Sequence, residues 1–248
     1  MEVGPNPQVS CSLVIPFYNE QAVLSATIER CIEWRRKQGD QIELVFVDDG
    51  STDRSLLIAQ SFGNSIKLVT YATNMGKGHA IRTGVLASNG ELILTTDADL
   101  AYGTQPLCEV IRVLQSTDVD VVCGSRRLSD AGFDGYPFFR QIASVCFTAY
   151  VRALLRIPVS DTQCGLKGVR GDIGRELFAF CTVNGFAYDL EFLGFAVQKG
   201  CTMVEIPVTL MQHGDSGVSL FRDAIRMAVE TLRIRSRIKS HERANRIS

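Results

Sequence analysis

Short runs of Val, Ile and Leu alternate with longer amphipathic stretches through the first half of the chain. Runs this apolar are typical of strands buried on both faces of a parallel sheet, and the stretches between them have helical spacing. The runs predict strands at 12–16, 43–47, 66–71, 92–96 and 119–123, and the stretches predict helices at 21–38, 54–62, 78–88 and 105–115. We therefore expect an α/β domain with a doubly wound, mostly parallel sheet and helices on both faces.

The alternation weakens in the second half. Residues 129–136 contain Asp and Gly without periodicity and predict a loop. A helix is predicted at 137–157, with a proline near its start. Its polar side chains recur at every fourth position: Arg140, Ser144, Thr148, Arg152 and Arg156. So narrow a polar stripe is typical either of a deeply buried helix or of one that partly contacts lipid.

A second helix, predicted at 220–239, follows a predicted strand at 203–208 and is basic. From Ser216 onward the chain carries eight Lys and Arg residues against three acidic ones. One predicted face holds Phe221, Ile225, Ala228 and Leu232, and another holds Arg222, Arg226, Arg233 and Arg237. The pattern indicates either a solvated face on a packed helix or attraction to an anionic membrane surface. We expect a main domain at 1–215 and a basic amphipathic helix at 216–248 that packs on it or extends from it.

Composition argues against several classes of protein. A length of 248 residues suits one substantial domain, and a net charge of −1 provides no global field that would attract nucleic acid. The eight cysteines never form C-x-x-C, so we expect buried thiols in a reducing compartment rather than a zinc or redox site. The sequence has neither an N-terminal signal nor an apolar run of roughly 18 residues, which predicts a soluble or peripheral protein.

Polar residues cluster directly after four of the predicted strands. The clusters are Pro16-Phe17-Tyr18-Asn19-Glu20, Asp48-Asp49-Gly50-Ser51, Asp97-Ala98-Asp99 and Gly124-Ser125-Arg126-Arg127. Because the carboxyl ends of parallel strands gather at one edge of a sheet, the clusters predict a single ligand site at that edge.

Asp97 and Asp99 are the clearest chemical signal. In an extended segment, residues two apart point the same way, so the two carboxylates would lie side by side and repel each other. A Mg²⁺ or Mn²⁺ ion held by one or two carboxylates and by substrate phosphates fits this arrangement. Such an ion would neutralise a nucleotide diphosphate and make it a better leaving group.

Two further segments bear on the nucleotide. Asp48 and Asp49 cannot both face one ligand, so we expect one to accept hydrogen bonds from a nucleobase and the other to cap a helix that begins near Ser51-Thr52-Asp53. Residues 74–78 resemble a phosphate-binding loop but lack the opening glycine and closing hydroxyl of a P-loop. The first strand turn also lacks G-x-G-x-x-G, so neither an ATPase nor a dehydrogenase is indicated.

In this order and spacing, the motifs resemble glycosyltransferase family 2, an inverting family of GT-A fold. The motifs of the first half are Pro16-x-Tyr18-Asn19-Glu20, Asp48-Asp49-Gly50-Ser51, Asn74-x-Gly76-Lys77-Gly78, Asp97-x-Asp99 and Gly124-Ser125-Arg126. The second half has Asp161-Thr162-Gln163-Cys164-Gly165-Leu166-Lys167 and Gly185-Phe186-Ala187-Tyr188-Asp189-Leu190-Glu191. These two look like the branch of dolichyl- or polyprenyl-phosphate sugar synthases, closest to dolichyl-phosphate β-glucosyltransferases. The resemblance runs from about Ser12 to Arg235.

The resemblance implies a role for each matching position. The nucleoside would be held by Pro16, Tyr18, Glu20 and Asp48. Lys77 and Asp97 would lie near the nucleotide, and Asp99 would bind the metal. The phosphate of an acceptor lipid would be gripped by Arg126, Arg140 and Ser144.

Two positions depart from the family pattern. Relatives often carry a metal-binding Gln two residues after D-x-D, where this chain has Ala101, so water or His213 would complete the metal shell. Many also have Ser-Lys-Val after the histidine, where this chain reads Ser216-Gly217-Val218 and lacks one basic contact. The position of His213, between a predicted strand and a Gly/Ser/Asp loop, suits either a structural histidine or a ligand.

Asp189 and Glu191 admit two roles. An alcohol acceptor would need a general base, and one of these carboxylates is the candidate. A phosphate monoester is already anionic near pH 7, since its second pKa is about 6, and it needs no base. In that case the carboxylates would position the sugar.

These observations predict a metal-dependent enzyme that moves a hexose, by resemblance glucose from UDP-glucose, to a polyprenyl or dolichyl phosphate. We expect it to lie peripherally at the cytoplasmic face of a membrane, on an anionic surface. One alternative keeps the donor but uses a soluble alcohol acceptor with Asp189 or Glu191 as base. Another is a nucleotide-sugar-binding module without turnover, against which the intact D-x-D argues.

Overall fold

The computed structural model describes residues 10–39, 41–129, 138–211 and 220–245, without the side chains of 138–146, 220–226 and 244–245. These residues contain one seven-stranded sheet. Its strands are β1 (Cys11–Phe17), β2 (Ile42–Asp48), β3 (Lys67–Thr70), β4 (Leu92–Thr95), β5 (Val121–Ser125), β6 (Lys167–Arg170) and β7 (Met203–Pro207). The spatial order is β3-β2-β1-β4-β6-β5-β7, and only β6 runs antiparallel to its neighbours. The predicted mostly parallel sheet is confirmed.

Eight α-helices cover the sheet in the described part of the chain. They are α1 (Leu24–Gln38), α2 (Ser55–Ser61), α3 (Lys77–Ala87), α4 (Gln105–Ser116), α5 (Phe138–Leu155), α6 (Gly171–Phe180), α7 (Tyr188–Lys199) and α8 (Leu220–Asn245). Helices α1, α2 and α4 pack on one face, and α3, α5, α6, α7 and α8 pack on the other. Because side chains alternate along a strand, Leu13 and Ile15 enter the first of these cores and Val14 enters the second.

Two helices and one strand were not predicted from the sequence. Strand β6 has only four residues, and α6 follows it without a loop. Every residue from Tyr188 to Ala196 in α7 is buried. A helix that is buried all round shows no amphipathic period, so its residues do not reveal it.

The described part of α5 packs against protein. Val151 and Leu155 are buried in the second core, and the Tyr150 hydroxyl donates to the backbone oxygen of Ala228 in α8 (2.9 Å). From Phe147 onward one side of α5 therefore packs on the protein, while Ala149, Arg152 and Ala153 are exposed, so the helix is only partly buried and lipid contact stays a prediction.

The predicted apolar face of the C-terminal helix is wrong in its described part. Leu232 is 52% exposed, whereas Thr231 and Ile234 are completely buried. Ile238 lies against Gly194 of α7, where a side chain larger than hydrogen would collide with it. The face that meets the protein is thus centred on Thr231, Ile234 and Ile238, about a quarter turn from the predicted stripe.

The described cysteines behave as small apolar side chains. All seven are free thiols, and burial raises the pKa of Cys11 and of Cys31 to about 12. Thiols this weakly acidic stay protonated, so these two are unsuited to metal binding or nucleophilic chemistry. Separately, in the part of the chain described, no helix combines the length and the apolarity needed to cross a membrane.

Candidate active site

The predicted polar clusters follow strands β1, β2, β4 and β5, all of which run in the same direction. The clusters therefore share one edge of the sheet, as expected from the parallel order. Hydrogen bonds join the first two clusters, because the Asn19 side-chain oxygen accepts from the backbone N–H of Thr52 (2.8 Å) and Gln21 N donates to Asp53 (3.2 Å).

The segment that carries Asp97 and Asp99 is a turn and not an extended strand. Strand β4 ends at Thr95, and Leu100 adopts a positive φ of 47°. The turn is fixed to α1 by Thr27, whose hydroxyl donates to the backbone oxygen of Ala98 (2.5 Å). The expectation that an extended backbone aligns the two carboxylates is wrong. The carboxylates nevertheless interact, since the charge of Asp97 raises the pKa of Asp99.

Asp97 forms an ion pair at this edge. Its Oδ1 lies 2.5 Å from Nζ of Lys77, with 31% and 24% of the two side chains exposed. On its other side the carboxylate contacts Gly165, where an added Cβ would lie 2.8 Å from Cγ of Asp97. Burial acts to lower the pKa of Lys77, but Asp97 and Asp189 outweigh it and the pKa is raised. Lys77 is therefore a fixed cation of the site.

The carboxylates of Glu20 and Asp99 lie near enough to this pair for their charges to act on one another and on Asp97. Burial is the largest cause of the raised pKa of Glu20, followed by the charges of Asp99, Asp53 and Asp97. Burial and Asp97 likewise raise the pKa of Asp99. Oxygen donors that repel one another are a suitable partial shell for a hard divalent cation. Across the residues described, no three Asp, Glu, His or Cys side chains are grouped so that they could hold a metal by themselves.

The two neighbouring aspartates after β2 have different partners. Oδ1 of Asp48 accepts from the backbone N–H of Ser51 (3.0 Å). Asp49 accepts from the Tyr71 hydroxyl and from the backbone N–H of Met75 (2.8 Å each), and from Gly76 (2.9 Å). The predicted capping role is wrong for both, because α2 begins at Ser55 and the N–H of Ser55 is accepted by Asp53 (2.9 Å). Asp49 instead fixes the loop that precedes Lys77.

A second ion pair lies deeper in the site. Nζ of Lys167 is 2.6 Å from Oδ1 of Asp189, and each side chain is only 5% exposed. Lys167 also donates to the backbone oxygen of Cys164 (2.6 Å). Burial raises the pKa of Asp189 although Lys167 and Lys77 oppose it. The sequence analysis included Lys167 only as part of a family motif and assigned it no role; the signal for one was a lone lysine in an apolar segment that forms a buried strand.

Glu191 does not belong to this site. It is completely buried, and its oxygens accept from the backbone N–H groups of Thr182 and Val183 (2.7 Å each) and from Arg237 (2.8 Å). Residues two apart on a helix face different directions, so Asp189 and Glu191 cannot share a ligand once α7 begins at Tyr188. The expectation that Glu191 acts as a base or positions the sugar is therefore wrong.

Arg126 is held at the end of β5 by Asp161. Its Nε and Nη2 donate to the two oxygens of that carboxylate (2.7 and 2.9 Å), and its backbone N–H donates to Oδ2 (3.1 Å). The same pairing raises the pKa of Arg126 against the effect of burial. Glu205 of β7 accepts from the backbone N–H of Asp161 (3.0 Å) and so fixes the carboxylate's own position.

Other predicted residues cannot be placed in full. Pro16 lies within β1, and Tyr18 follows that strand with its ring partly exposed. The backbone of Arg140 and Ser144 lies in α5, but their side chains are outside the described set. His213 lies outside the described residues, as do the side chains of Arg222 and Arg226.

Known proteins resemble this chain over most of its length. The profile of Glycosyl transferase family 2 matches residues 12–178. A dolichyl-phosphate beta-glucosyltransferase of Dictyostelium discoideum is 28% identical over 94% of this chain and 76% of its own length. The human protein of that name is 29% identical (95% and 78%), and ALG5D of Trichomonas vaginalis, again a dolichyl-phosphate beta-glucosyltransferase, is 31% identical (92% and 73%).

Solved structures share the fold. Glucosyl-3-phosphoglycerate synthase of Mycobacterium tuberculosis in complex with UDP superposes with a TM-score of 0.68 at 16% identity, covering 93% of this chain and 80% of that one. Its complex with Mn²⁺, UDP and glucosyl-3-phosphoglycerate has a TM-score of 0.65 at 18% identity (91% and 79%). Mannosyl-3-phosphoglycerate synthase of Rubrobacter xylanophilus has a TM-score of 0.61 at 21% identity (92% and 73%).

Proposed function

Because the chain belongs to glycosyl transferase family 2, we propose that it transfers glucose from UDP-glucose to the phosphate of a dolichyl or polyprenyl lipid. The observation that carries the proposal is the Lys77–Asp97 ion pair at one edge of the sheet, next to which the charges of Asp99 and Asp97 add to burial in raising the pKa of Glu20. The dolichyl-phosphate beta-glucosyltransferases that resemble it over more than nine-tenths of this chain support the choice of sugar and acceptor.

The donor side is formed by the loops after β1, β2 and β4. We assign the nucleoside to Pro16, Tyr18, Glu20 and Asp48, and the diphosphate to the surroundings of Lys77 and Asp97. Lys77 is suited to a phosphate because it is a pre-positioned cation whose pKa the neighbouring carboxylates raise. Asp49 supports this side indirectly, since it fixes the loop that leads into α3.

The carboxylates of Asp97 and Asp99 would hold Mg²⁺ or Mn²⁺, with His213 as a further candidate ligand. The donor set fits, because the charges of the two acids repel across a partly buried turn and Lys77, the cation paired with Asp97, neutralises only one of them. The ion would supply charge neutralisation for the leaving diphosphate. Neighbours of the same fold have been solved with Mn²⁺ or Mg²⁺ and UDP, which supports this choice of cofactor.

The acceptor phosphate supplies its own nucleophile. A phosphate oxygen attacks the anomeric carbon, the bond from that carbon to the UDP oxygen breaks, and UDP leaves with the bonding electrons, so that the configuration inverts. A phosphate monoester is anionic near pH 7, with a second pKa of about 6, and no proton has to be removed. Asp189 agrees with this reaction, because a carboxylate paired with buried Lys167 is suited to position the sugar and poorly placed to act as a base.

Arg126, Arg140 and Ser144 would hold the acceptor phosphate. Arg126 is oriented in advance by its bidentate pair with Asp161, which fixes the plane of the guanidinium while its remaining N–H groups are not used in that pair. Arg140 and Ser144 are one turn apart on α5 and share a face of that helix.

A labelled donor separates the possible outcomes. The protein is incubated with UDP-[¹⁴C]glucose, Mg²⁺ and polyprenyl phosphate, and the label is then partitioned between water and organic solvent. The proposal predicts metal-dependent label in the organic phase. Label in a new water-soluble glucoside with an added alcohol would point to a soluble acceptor, and tight UDP-glucose binding without any product would point to a binding module.

We further propose that the 1–215 unit carries the chemistry and that the helix within 216–248 brings it to the cytoplasmic face of an anionic membrane. Arg233 of α8 is 66% exposed and Leu232 beside it is also exposed, a combination that suits an interface between water and lipid. Arg237 has to be removed from the predicted basic stripe, because it pairs with buried Glu191.

Liposome co-sedimentation tests the membrane proposal. Each basic residue near an anionic surface is worth about 1 kcal/mol, and salt screens the attraction. The protein should sediment with anionic vesicles at low salt, and should be released by high salt or by changing Arg222, Arg226 and Arg233 together to Gln. Equal sedimentation with neutral and anionic vesicles would contradict an electrostatic attachment.

A further inference from the structure

The completely buried carboxylate of Glu191 joins three segments of the fold: its own helix α7, the backbone at 182–183, and α8. Its Oε2 accepts from the backbone N–H groups of Thr182 and Val183 (2.7 Å each), and its Oε1 accepts from the Thr182 hydroxyl (3.2 Å). The third segment is α8, from which Nη1 of Arg237 donates to Oε1 (2.8 Å). One charged group thereby fixes the backbone that follows α6, and charge-assisted hydrogen bonds of this kind are the stronger ones.

Residues 182–185 in turn hold the beginning of α3. The backbone oxygen of Asn184 accepts from the N–H of Gly78 (2.7 Å) and of His79 (3.3 Å). These are among the first amides of α3, which have no partner within the helix, and Gly76 at the N-cap has no side chain to bind them. The backbone oxygen of Asn184, from a distant part of the chain, therefore caps the N-terminus of α3 in place of a side chain.

The contact between the two segments leaves no room for adjustment. An added Cβ on Gly76 would lie 2.5 Å from the Asn184 oxygen, and one on Gly78 would collide with the Val183 oxygen. Further along α3, Arg82 donates to the backbone oxygen of Cys181 (2.7 Å). Segment 181–185 and the first turns of α3 therefore move together, and this part of α3 carries Lys77, whose Nζ pairs with Asp97.

Arg237 connects this assembly to the C-terminal helix. Besides Glu191, its Nη1 donates to the Thr182 hydroxyl (2.7 Å), so one guanidinium binds both ends of the Glu191–Thr182 contact. Although 41% of the Arg237 side chain is exposed, the carboxylate it meets is completely buried. Loss of the guanidinium would leave a buried negative charge without its cation, which is a strongly unfavourable state.

We propose that Glu191 and Arg237 are positioning residues for the donor site: through Thr182–Asn184 they hold the start of α3 and thus set the position of Lys77. Neither residue is among those assigned to the donor or the acceptor. The donor end of the site then depends on the C-terminal helix, and anything that displaces α8 at Arg237 weakens nucleotide binding. The nucleotide part of this inference rests on the proposed function, whereas the structural part does not.

The test compares Arg237→Gln with Arg233→Gln, a matched change on the same helix at a more exposed arginine. Two quantities are measured in the full chain: the Kd of UDP with Mn²⁺ by calorimetry, and hydrogen exchange at the amides of Gly78 and His79. Arg237→Gln should weaken UDP binding by about twofold to thirtyfold, the usual range for coupling through packed networks, and should accelerate exchange at both amides. Arg233→Gln should change neither quantity.

Two further measurements separate positioning from general loss of structure. At saturating donor, the kcat of Arg237→Gln should stay within about twofold of the wild type while the KM for the donor rises, since donor binding is weakened equally in the ground state and the transition state. Arg237→Lys should recover most of the affinity. If Arg237→Gln does not fold, Thr182→Val, which removes only the shared hydroxyl, takes its place with the same expected direction.

Some results would overturn the inference. A folded Arg237→Gln protein with wild-type exchange at Gly78 and His79 contradicts it, as does an equal loss of affinity in Arg233→Gln. If the wild type binds no UDP, the proposed donor is wrong, and the exchange comparison alone decides whether Arg237 holds the start of α3.

Discussion

The site contains two lysine–aspartate pairs that are chemically alike but lie in different surroundings. Lys77 and Asp97 pair at the edge of the sheet, with about a quarter of each side chain exposed. Lys167 and Asp189 pair at nearly the same distance, with almost no exposure. A partly hydrated pair can exchange its partners for a ligand at low cost, whereas a buried pair is held because either charge alone would be strongly destabilised.

The difference assigns the two pairs to different tasks. The outer pair lies near Glu20 and Asp99, and in the proposed function an incoming diphosphate and cation take over its charges. The inner pair joins β6 to the start of α7 and contacts a backbone oxygen, and in the proposed function it positions the sugar. The comparison teaches that a charge motif indicates ligand binding only together with its exposure.

The largest expected effect comes from removing a carboxylate on the exposed side. Asp99→Asn should lower transfer on the order of a thousandfold, because charge neutralisation of the leaving group is worth several kcal/mol. Chelation of divalent ions by EDTA should have a similar effect, measured as label transferred to lipid. Full activity of the variant, or of the wild type in EDTA, would contradict the assignment of the metal to this turn.

Removing the cation of the buried pair should affect stability instead. Lys167→Met leaves Asp189 charged, buried and without its main partner, which typically costs about 3–5 kcal/mol. Urea unfolding should show this loss, while Lys77→Met, at the exposed pair, should lose less than about 1 kcal/mol. Equal losses in the two variants would show that exposure does not distinguish the pairs.

Lys77→Met should instead weaken the binding of the nucleotide donor. A charged hydrogen bond to a phosphate is worth about 1.5–3 kcal/mol, which corresponds to roughly tenfold to 150-fold in the Kd of UDP. Calorimetry with UDP and Mn²⁺ measures this directly, and Arg140→Ala provides the control, since it should raise the KM for lipid phosphate and leave the Kd of UDP unchanged. Unaltered UDP affinity in Lys77→Met would remove Lys77 from the donor site.

A smaller effect on stability than that of Lys167→Met alone is expected when both buried charges are replaced. The double variant Lys167→Met with Asp189→Leu should recover most of the stability lost by Lys167→Met alone, because an apolar pair of similar volume is often neutral. It should remain inactive, since the group that positions the sugar is absent. If the double variant is as unstable as the single one, the loss comes from packing rather than from an unpaired charge.

The grouping of polar residues at one edge of the sheet was predictable because it follows from the composition of each strand and of the residues directly after it. Strands without polar positions imply a parallel sheet, and polar clusters after such strands must meet. The turn at Asp97–Asp99 and the partners of Asp49 were not predictable, since they depend on where α1 and the loop before α3 lie in space.

The errors in the second half have one common cause. Helix α7 is buried on all sides, so its sequence has no amphipathic period that would predict a helix. Because the helix was not predicted, Asp189 and Glu191 were expected to share one role. Arg237 was grouped with surface arginines by spacing alone, whereas the position of α8 against α7 directs it to Glu191. Such long-range pairs are set by packing and leave no local mark in the sequence.

The pH dependence of transfer to polyprenyl phosphate tests most directly the central claim that the acceptor brings its own charge. We predict that kcat/KM for the lipid increases as the pH is raised, with a midpoint near the second pKa of the phosphate, about 6. The Asp189→Asn variant should transfer glucose more slowly but with the same midpoint. Polyprenol, which lacks the phosphate, should accept no glucose. A midpoint that disappears in Asp189→Asn, or transfer to polyprenol, would show that the enzyme uses a general base and contradict the account.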